Sequence, residues 1–334
     1  MGKYCWSMKI DRKDSCSAMI LTVTLNAAID KRYVVDHFQP GSVYRVKECT
    51  YSAGGKGLNV SRVAVIAGEK VLATGFVGGH AGNYIEEALI EQNIKSDFVH
   101  IRGESRSCIN IYDETNHTQT EFLEPGIHVT EDDKKKMLKK YTERLGDCSV
   151  ITISGSVPSG VDSSLYQEMI RMARQHNKKV LLDTSGTLLQ ESLIAGPTLI
   201  KPNLEELRAL TGDSLNSQVD IIKAATRLHT EEGIEVVVIS CGEEGSLIVC
   251  KEGVYRAIVP KIEAVNTVGC GDSMIAGFAV GFSRGMNIED TIKLASAISA
   301  ANAMRMETGF FLESDMQELM PQIKIEKINT HNNI

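Results

Sequence analysis

Six short runs of β-branched and aliphatic residues, at 20–25, 71–76, 150–154, 179–183, 199–201 and 236–240, alternate with amphipathic stretches at 83–92, 132–144, 164–176 and 219–231. Apolar runs this short, without polar alternation, belong to strands buried on both faces. The stretches between them carry the spacing of helices with one face on a core. Parallel neighbours need such crossovers, and the crossover hand is fixed, so the chain is expected to form an open α/β sheet covered by helices on both sides. With 334 residues, 43% of them hydrophobic, it can fill a core of that size.

Two regions break the rhythm. Residues 31–51 and 106–123 alternate as strands do, the second with a turn at Asp113-Glu114-Thr115-Asn116 between its arms. A small separate sheet would leave open edges unless it covered a site or met another chain, so it is expected to be a lid and a surface for a second copy. The stretch 271–306 is helical in pattern and rich in Ala and Ser, as closely packed helices require. Residues 1–18 mix Lys3, Lys9, Arg12 and Lys13 with Trp6 and Cys5 without a period, and are expected to be a disordered extension. One domain is then expected over 19–327, with a short tail at 328–334.

The net charge of -7 excludes general binding to nucleic acid or to an anionic membrane. Eight scattered cysteines, without a CxxC pair or matching histidines, read as reduced cytoplasmic thiols and not as a zinc site. The run 18–25 is too short and too rich in threonine for a membrane span or a signal segment.

The chemistry lies in the loops. Asn266-Thr267-Val268-Gly269-Cys270-Gly271-Asp272-Ser273 is a small-residue turn leading into an apolar helix. Unpaired amides and the helix dipole would hold an anion there, and Asp272 beside them reads as a proton acceptor. Together they are what phosphoryl transfer requires. Gly54-Gly55-Lys56-Gly57 opens another helix and lacks the Walker A spacing. Its glycines allow close approach of a ligand, Lys56 can neutralise a phosphate and Asn59 can bond hydroxyls; a plain helix-opening turn is the structural alternative. In Lys201-Pro202-Asn203-Leu204-Glu205-Glu206, Asn203 and Glu206 share a helical face suited to the water shell of Mg²⁺. They also fit a capping box, and both readings can hold together. Ser240 to Gly245 and Ser154 to Gly160 follow strands, where open α/β sheets bind ligands. Asp30, after the first strand, is placed for vicinal hydroxyls, and Arg106, with Arg45 as a second candidate, for a substrate phosphate. No histidine is placed for catalysis.

In this order the motifs resemble the ribokinase-like (PfkB) carbohydrate kinases, and within them the branch of 1-phosphofructokinases and tagatose-6-phosphate kinases. The likeness rests on Thr24 to Asp30, Ala53 to Ser61, Ile153 to Pro158, Lys201 to Asn203, Ser240 to Gly245 and Asn266 to Phe278, and spans 19–327. It implies a three-layer α/β/α domain with a mostly parallel sheet and a β-lid, often shared in a dimer. It further implies Asp272 as base; Gly269, Cys270 and Gly271 as anion hole; and Lys201, Ser240, Gly242 and Gly245 at ATP. Asn203 and Glu206 would hold Mg²⁺ through water. Asp30, Gly54, Gly55, Lys56, Asn59, Arg106 and Ser156 would hold the sugar phosphate. The implied reaction converts tagatose 6-phosphate or fructose 1-phosphate to a bisphosphate. Another sugar or a nucleoside as substrate, and a non-catalytic sugar-phosphate-binding regulator, are the alternatives. Cys270 stands where this family has a smaller Ala or Ser, which would expose the loop to thiol oxidation. Glu121 stands where some relatives carry a phosphate-binding Arg, which disfavours fructose 6-phosphate.

Overall fold

The computed structural model describes residues 19–329, so the expectation for residues 1–18 lies outside the described residues. The chain begins with β1 (Met19–Thr24), then leaves for a second sheet with β2 (Ala28–Val35) and β3 (Glu48–Gly54). It returns through α1 (Lys56–Ile66), β4 (Val71–Val77), α2 (Gly79–Glu91) and the short β5 (Lys95–Ser96) and β6 (Val99–His100). A second excursion forms β7 (Arg106–Asp113) and β8 (Thr118–Leu123). Strands and helices then alternate: α3 (Glu131–Leu145), β9 (Cys148–Ser154), α4 (Ser163–Gln175), β10 (Lys179–Asp183), α5 (Gly186–Ser192), β11 (Leu199–Ile200), α6 (Leu204–Thr211), α7 (Gln218–Thr230) and β12 (Val236–Ser240). Last come β13 (Ser246–Cys250), β14 (Gly253–Ile258), α8 (Cys270–Ser283), α9 (Ile288–Ala303), α10 (Glu313–Leu319) and β15 (Lys324–Ile328).

The large sheet is ordered β15-β14-β13-β12-β11-β10-β9-β1-β4-β5, with β6 also on β4. From β12 through β5 every pairing is parallel. The other end, β12 through β15, is antiparallel. That edge is not expected from the sequence; tight turns join β12, β13 and β14, and β15 returns to the edge after α8, α9 and α10. β15 carries the paired chain to Ile328, one residue past the expected boundary. Alternate residues of each strand feed two cores. Ile20 and Val150 face the layer of α1, α2, α8 and α9, whereas Leu21 and Ile151 face α3, α4 and α7. The three-layer α/β/α expectation holds.

Helix starts follow their side chains. Thr130 with Asp133, Asn203 with Glu206, and Ser217 with Asp220 close reciprocal capping boxes on α3, α6 and α7. α8 is buried from Ser273 to Gly281. A Cβ at Gly277 would stand 2.4 Å from Ala295 Cα, and one at Gly281 2.5 Å from Thr291 Cγ2, so Gly277 lets α8 touch the α9 backbone and Gly281 makes room for the Thr291 side chain. That contact offsets the weak helix propensity of glycine.

The second sheet is ordered β3-β2-β7-β8, with only β2 and β7 parallel. It matches the expected lid, except that its strands reach Ala28 and Gly54 and the middle of the first segment, 36–47, is a loop. Register puts Asp30, Arg106, Cys108 and Glu121 on one face and Tyr33, Tyr51, Ile109, Ile111 and Phe122 on the other.

Candidate active site

β1 leads through α1 to β4 on one side, and the chain later places β9 on the other side of β1. Strand order therefore reverses at β1/β9, and the crevice beyond their carboxyl ends is where an open α/β sheet takes its ligands. All of the loops singled out above lie after carboxyl ends of strands or at helix starts around this crevice.

Gly269 caps α8 in the left-handed region, φ 83°, and any Cβ there would meet Gly309 N and Thr308 Cγ2 at 2.8 Å. The Cys270 amide donates back to the Thr267 carbonyl at 3.3 Å, while Ser273 begins the helical ladder on the Gly269 carbonyl. Helix geometry thus leaves the amides of Gly271 and Asp272 as donors without an i−4 acceptor. Of the three expected anion-hole residues, Cys270 spends its N–H inside the loop, because the turn tightens at that residue.

Asp272 is buried, and its Oδ2 accepts from Asn59 Nδ2 at 2.8 Å. Burial and the neighbouring Asp183 push its carboxyl up to about 6, against the pull of Lys56, the Asn59 amide and Lys201. An acid with its pKa near neutrality is suited to take a proton and to give it up again. Asp183, at the end of β10, is a residue that sequence reasoning missed. It is buried between Lys56 Nζ at 3.5 Å and Lys201 Nζ at 3.4 Å. Burial works against its charge, but Lys201 and Lys56 together outweigh that and hold it below the ordinary carboxylate range. The Coulombic pull of Asp183, ahead of Asp272 and Glu206, lifts Lys56 to about 12. Lys201 Nζ would lie 3.0 Å from a Cβ on Gly271, so this ammonium sits against the loop.

On the lid side, a Cβ on Gly54 would overlap the Asp30 carboxyl, 2.0 Å from Cγ, so only glycine leaves room for that acid. Burial raises Asp30 to about 6, with Arg62 and Arg106 opposing. Arg106 donates from Nε to the Asn26 carbonyl and from Nη1 to the Glu124 carbonyl, both at 3.1 Å. Asn26 in turn donates to Ser156 Oγ at 3.2 Å, tying the β1 and β9 loops together across the crevice. Arg45 is exposed in the 36–47 loop. Gly55 takes φ 100° to start α1, which aims Lys56 and Asn59 at the same space.

On the remaining side, Asn203 Oδ1 accepts from Glu206 N and Glu206 Oε2 accepts from Asn203 N, the alternative the sequence left open. The cap uses one oxygen of each, leaving Glu206 Oε1 and a lone pair of Asn203 Oδ1. Among the described residues no group of three His, Cys, Asp or Glu is arranged to hold a metal directly. The free Glu206 and Asn203 oxygens are hard donors of the kind that would hold an ion such as Mg²⁺ through its water. Ser240 N donates to the Pro202 carbonyl at 3.1 Å, placing the β12 end beside Asn203. Gly242 and Gly245 turn with φ 61° and 87°, and a Cβ on Gly245 would strike the Ala257 carbonyl.

Cys270 departs from expectation. Burial pushes its thiol up to about 11, and Asn302 Nδ2 lies 3.5 Å from its sulfur. A thiol so disfavoured as thiolate resists oxidation.

Residues 21–315 match the pfkB family of carbohydrate kinases. The chain is 38% identical over 316 residues to a tagatose-6-phosphate kinase of Staphylococcus epidermidis, covering 93% of this chain and 100% of the relative. The crystal structure of a possible 1-phosphofructokinase from Thermotoga maritima superposes with a TM-score of 0.84 at 32% identity, covering 93% of this chain and 100% of that one. Phosphofructokinase-2 from Escherichia coli, solved as its tetrameric inhibited form, gives 0.85 at 26% identity over 91% of this chain and 99% of that one.

Proposed function

This chain belongs to the pfkB family of carbohydrate kinases, and we propose that its acceptor is a ketohexose monophosphate, tagatose 6-phosphate or fructose 1-phosphate, which it converts to the bisphosphate with ATP. The observation that carries this reading is the placement of charge along one crevice. Asp272, with Lys56 and Lys201 gathered around Asp183, lies toward the phosphoryl donor, and Asp30 with Arg106 lies under the lid. Asp30 suits sugar hydroxyls, and Arg106 suits a phosphate already on the sugar.

Asp272 accepts the proton of the free hydroxymethyl as its oxygen attacks the γ-phosphorus. The new O–P bond forms, the bond to the β-phosphate oxygen breaks, and ADP leaves with the electron pair. The amides of Gly271 and Asp272, the α8 dipole and the Lys201 ammonium stabilise the spreading negative charge. Glu206 and Asn203 would hold Mg²⁺ through water, and that ion would supply further charge neutralisation at the phosphates. The apolar lid face bearing Tyr33, Tyr51, Ile109, Ile111 and Phe122 includes rings about half exposed, 52% at Tyr51 and 53% at Phe122. We place a second copy of the chain on it, and the enzyme in the cytoplasm.

The test is a coupled ADP-release assay across fructose 1-phosphate, tagatose 6-phosphate, fructose 6-phosphate and ribose. One of the first two is expected to give the highest kcat/KM. Arg106→Gln is expected to raise KM for it on the order of 10- to 100-fold, the worth of a charge-assisted contact. Faster turnover of ribose, or a KM indifferent to Arg106, overturns the reading.

A further inference from the structure

Arg62 lies in the apolar run of α1 and is buried, yet no part of the chemistry above uses it. Four of its five N–H donors are committed. Nε donates to Gln92 Oε1 at 2.9 Å, Nη2 to the Ala53 carbonyl, and Nη1 to both Asn59 Oδ1 at 3.1 Å and the Thr308 carbonyl at 3.0 Å. These partners belong to the end of α2, to β3, to α1 itself and to the loop after α9. That loop packs on both sides of the site, since a Cβ on Gly309 would meet Asn59 Cβ at 2.8 Å and Thr308 abuts Gly269.

An asparagine amide can present either its NH₂ or its oxygen to a neighbour, and the neighbour alone seldom decides once it can carry a proton. Asp272 is such a neighbour: as a carboxylate it asks for a donor, and after taking the substrate proton it can offer one. We propose that Arg62 is a positioning residue for phosphoryl transfer, holding the Asn59 oxygen so that the Asn59 NH₂ faces Asp272 throughout the reaction. With Oδ2 of Asp272 engaged by that NH₂, Oδ1 is the oxygen left to receive the hydroxyl proton. Lysine cannot replace this grip, because one ammonium cannot reach four acceptors spread over a planar fork. The inference rests on Asp272 being the base, and otherwise only on the contacts of Arg62.

The experiment compares wild type, Arg62→Lys, Asn59→Ala and the double variant, all checked for folding by circular dichroism. Arg62→Lys keeps the charge near Asp30, so KM for the sugar phosphate is expected to stay within about threefold while kcat falls on the order of 10- to 100-fold, as a misplaced reacting group does. In the Asn59→Ala background the same substitution is expected to lower kcat no further. A substrate-free readout accompanies it: the Asp272 titration followed by carbon NMR. Asp183, Lys56 and Lys201 from other elements and Cys270 from α8 itself lie near this carboxyl and are unchanged in these variants, and Arg62→Lys keeps the positive charge that also acts on it. Its midpoint should rise in Arg62→Lys as in Asn59→Ala, since both take the donor from the carboxylate. Full kcat with Lys, a penalty that adds in full to that of Asn59→Ala, or an unmoved titration overturns the inference. If Arg62→Lys does not fold, Gln92→Leu loosens the Nε anchor from the end of α2. It is expected to lower kcat a few-fold in the wild-type background only, and no change overturns the inference. Should wild type ignore ketohexose phosphates, the substrate reading fails separately, because the titration needs no acceptor and the kinetic cycle can use whichever acceptor is turned over.

Discussion

Replacing the base should make this enzyme more stable while it stops working. In the unfolded chain an aspartic acid ionises near 3.8, and in the fold Asp272 ionises at about 6, with burial the largest cause. A folded-state value raised above the unfolded one means that the stability this group supplies is complete below 3.8 and is lost as pH rises through 6. The shift of about two pH units corresponds to about 3 kcal/mol by which the ionised acid disfavours the fold. Asn at this position is neutral at every pH and still offers an oxygen to Asn59. Asp272→Asn is therefore expected to gain about 3 kcal/mol over wild type at pH 8, about half of that at pH 5, and close to nothing below pH 4. Urea unfolding of both proteins at pH 8, 6 and 5 measures the difference, and the ADP-release assay on the same samples should show kcat lowered on the order of 10²- to 10⁴-fold. A stability difference that is flat across pH, or a variant less stable than wild type at pH 8, refutes the electrostatic account of this site; near-normal turnover refutes the assignment of the base.

Gly54→Ala drives a methyl into the Asp30 carboxyl, so KM for the sugar should rise on the order of 10-fold or more with KM for ATP within twofold, as initial-rate kinetics will show. Cys270→Ser should keep turnover within about threefold, and the native thiol, raised to about 11 by burial, should react with iodoacetamide at pH 8 only after unfolding. Glu206→Gln keeps an oxygen for the Asn203 amide and so the cap, but loses the charge that would face a hydrated cation. The Mg²⁺ concentration for half-maximal rate should rise on the order of 10-fold with the melting temperature unchanged, whereas Glu206→Ala should lower both stability and rate.

Much of this was legible in the residues. The runs at 179–183 and 236–240 are strands to the residue, and the helices lie within a few residues of their amphipathic stretches, because burial on both faces leaves a run with no polar alternation to misread. The antiparallel edge was not, since β13 and β14 look like any apolar run and only the glycine turns at Gly242 to Gly245 and at Gly253 hint that the chain reverses. Asp183 and Arg62 were missed for a different reason. Each closes or interrupts an apolar run, and its meaning depends on partners far along the chain, Lys56 lying 127 residues from Asp183 and Thr308 246 residues from Arg62. A charged residue ending a strand that is otherwise wholly apolar was the available signal, because such a charge must be paired if it is buried. Conversely, the Asn203/Glu206 pair was read as both cap and cation site, and the cap is the part that local geometry alone can settle.

The tight seam between α8 and α9 divides the mechanical labour of the enzyme. With Gly277 against Ala295 and Gly281 against Thr291 there is no slack for α8 to slide or rotate, and Asp272 is attached to its first turn. On the proposed reading, the base and the anion-binding amides therefore form a fixed jaw, mounted on a closely packed pair of helices. On the reading proposed above, the other jaw is the small sheet, with Asp30 and Arg106 on the face turned to the acceptor. On that reading, accuracy at the phosphorus is inherited from the core, and the choice of what is phosphorylated can drift in a separate four-stranded sheet without disturbing it.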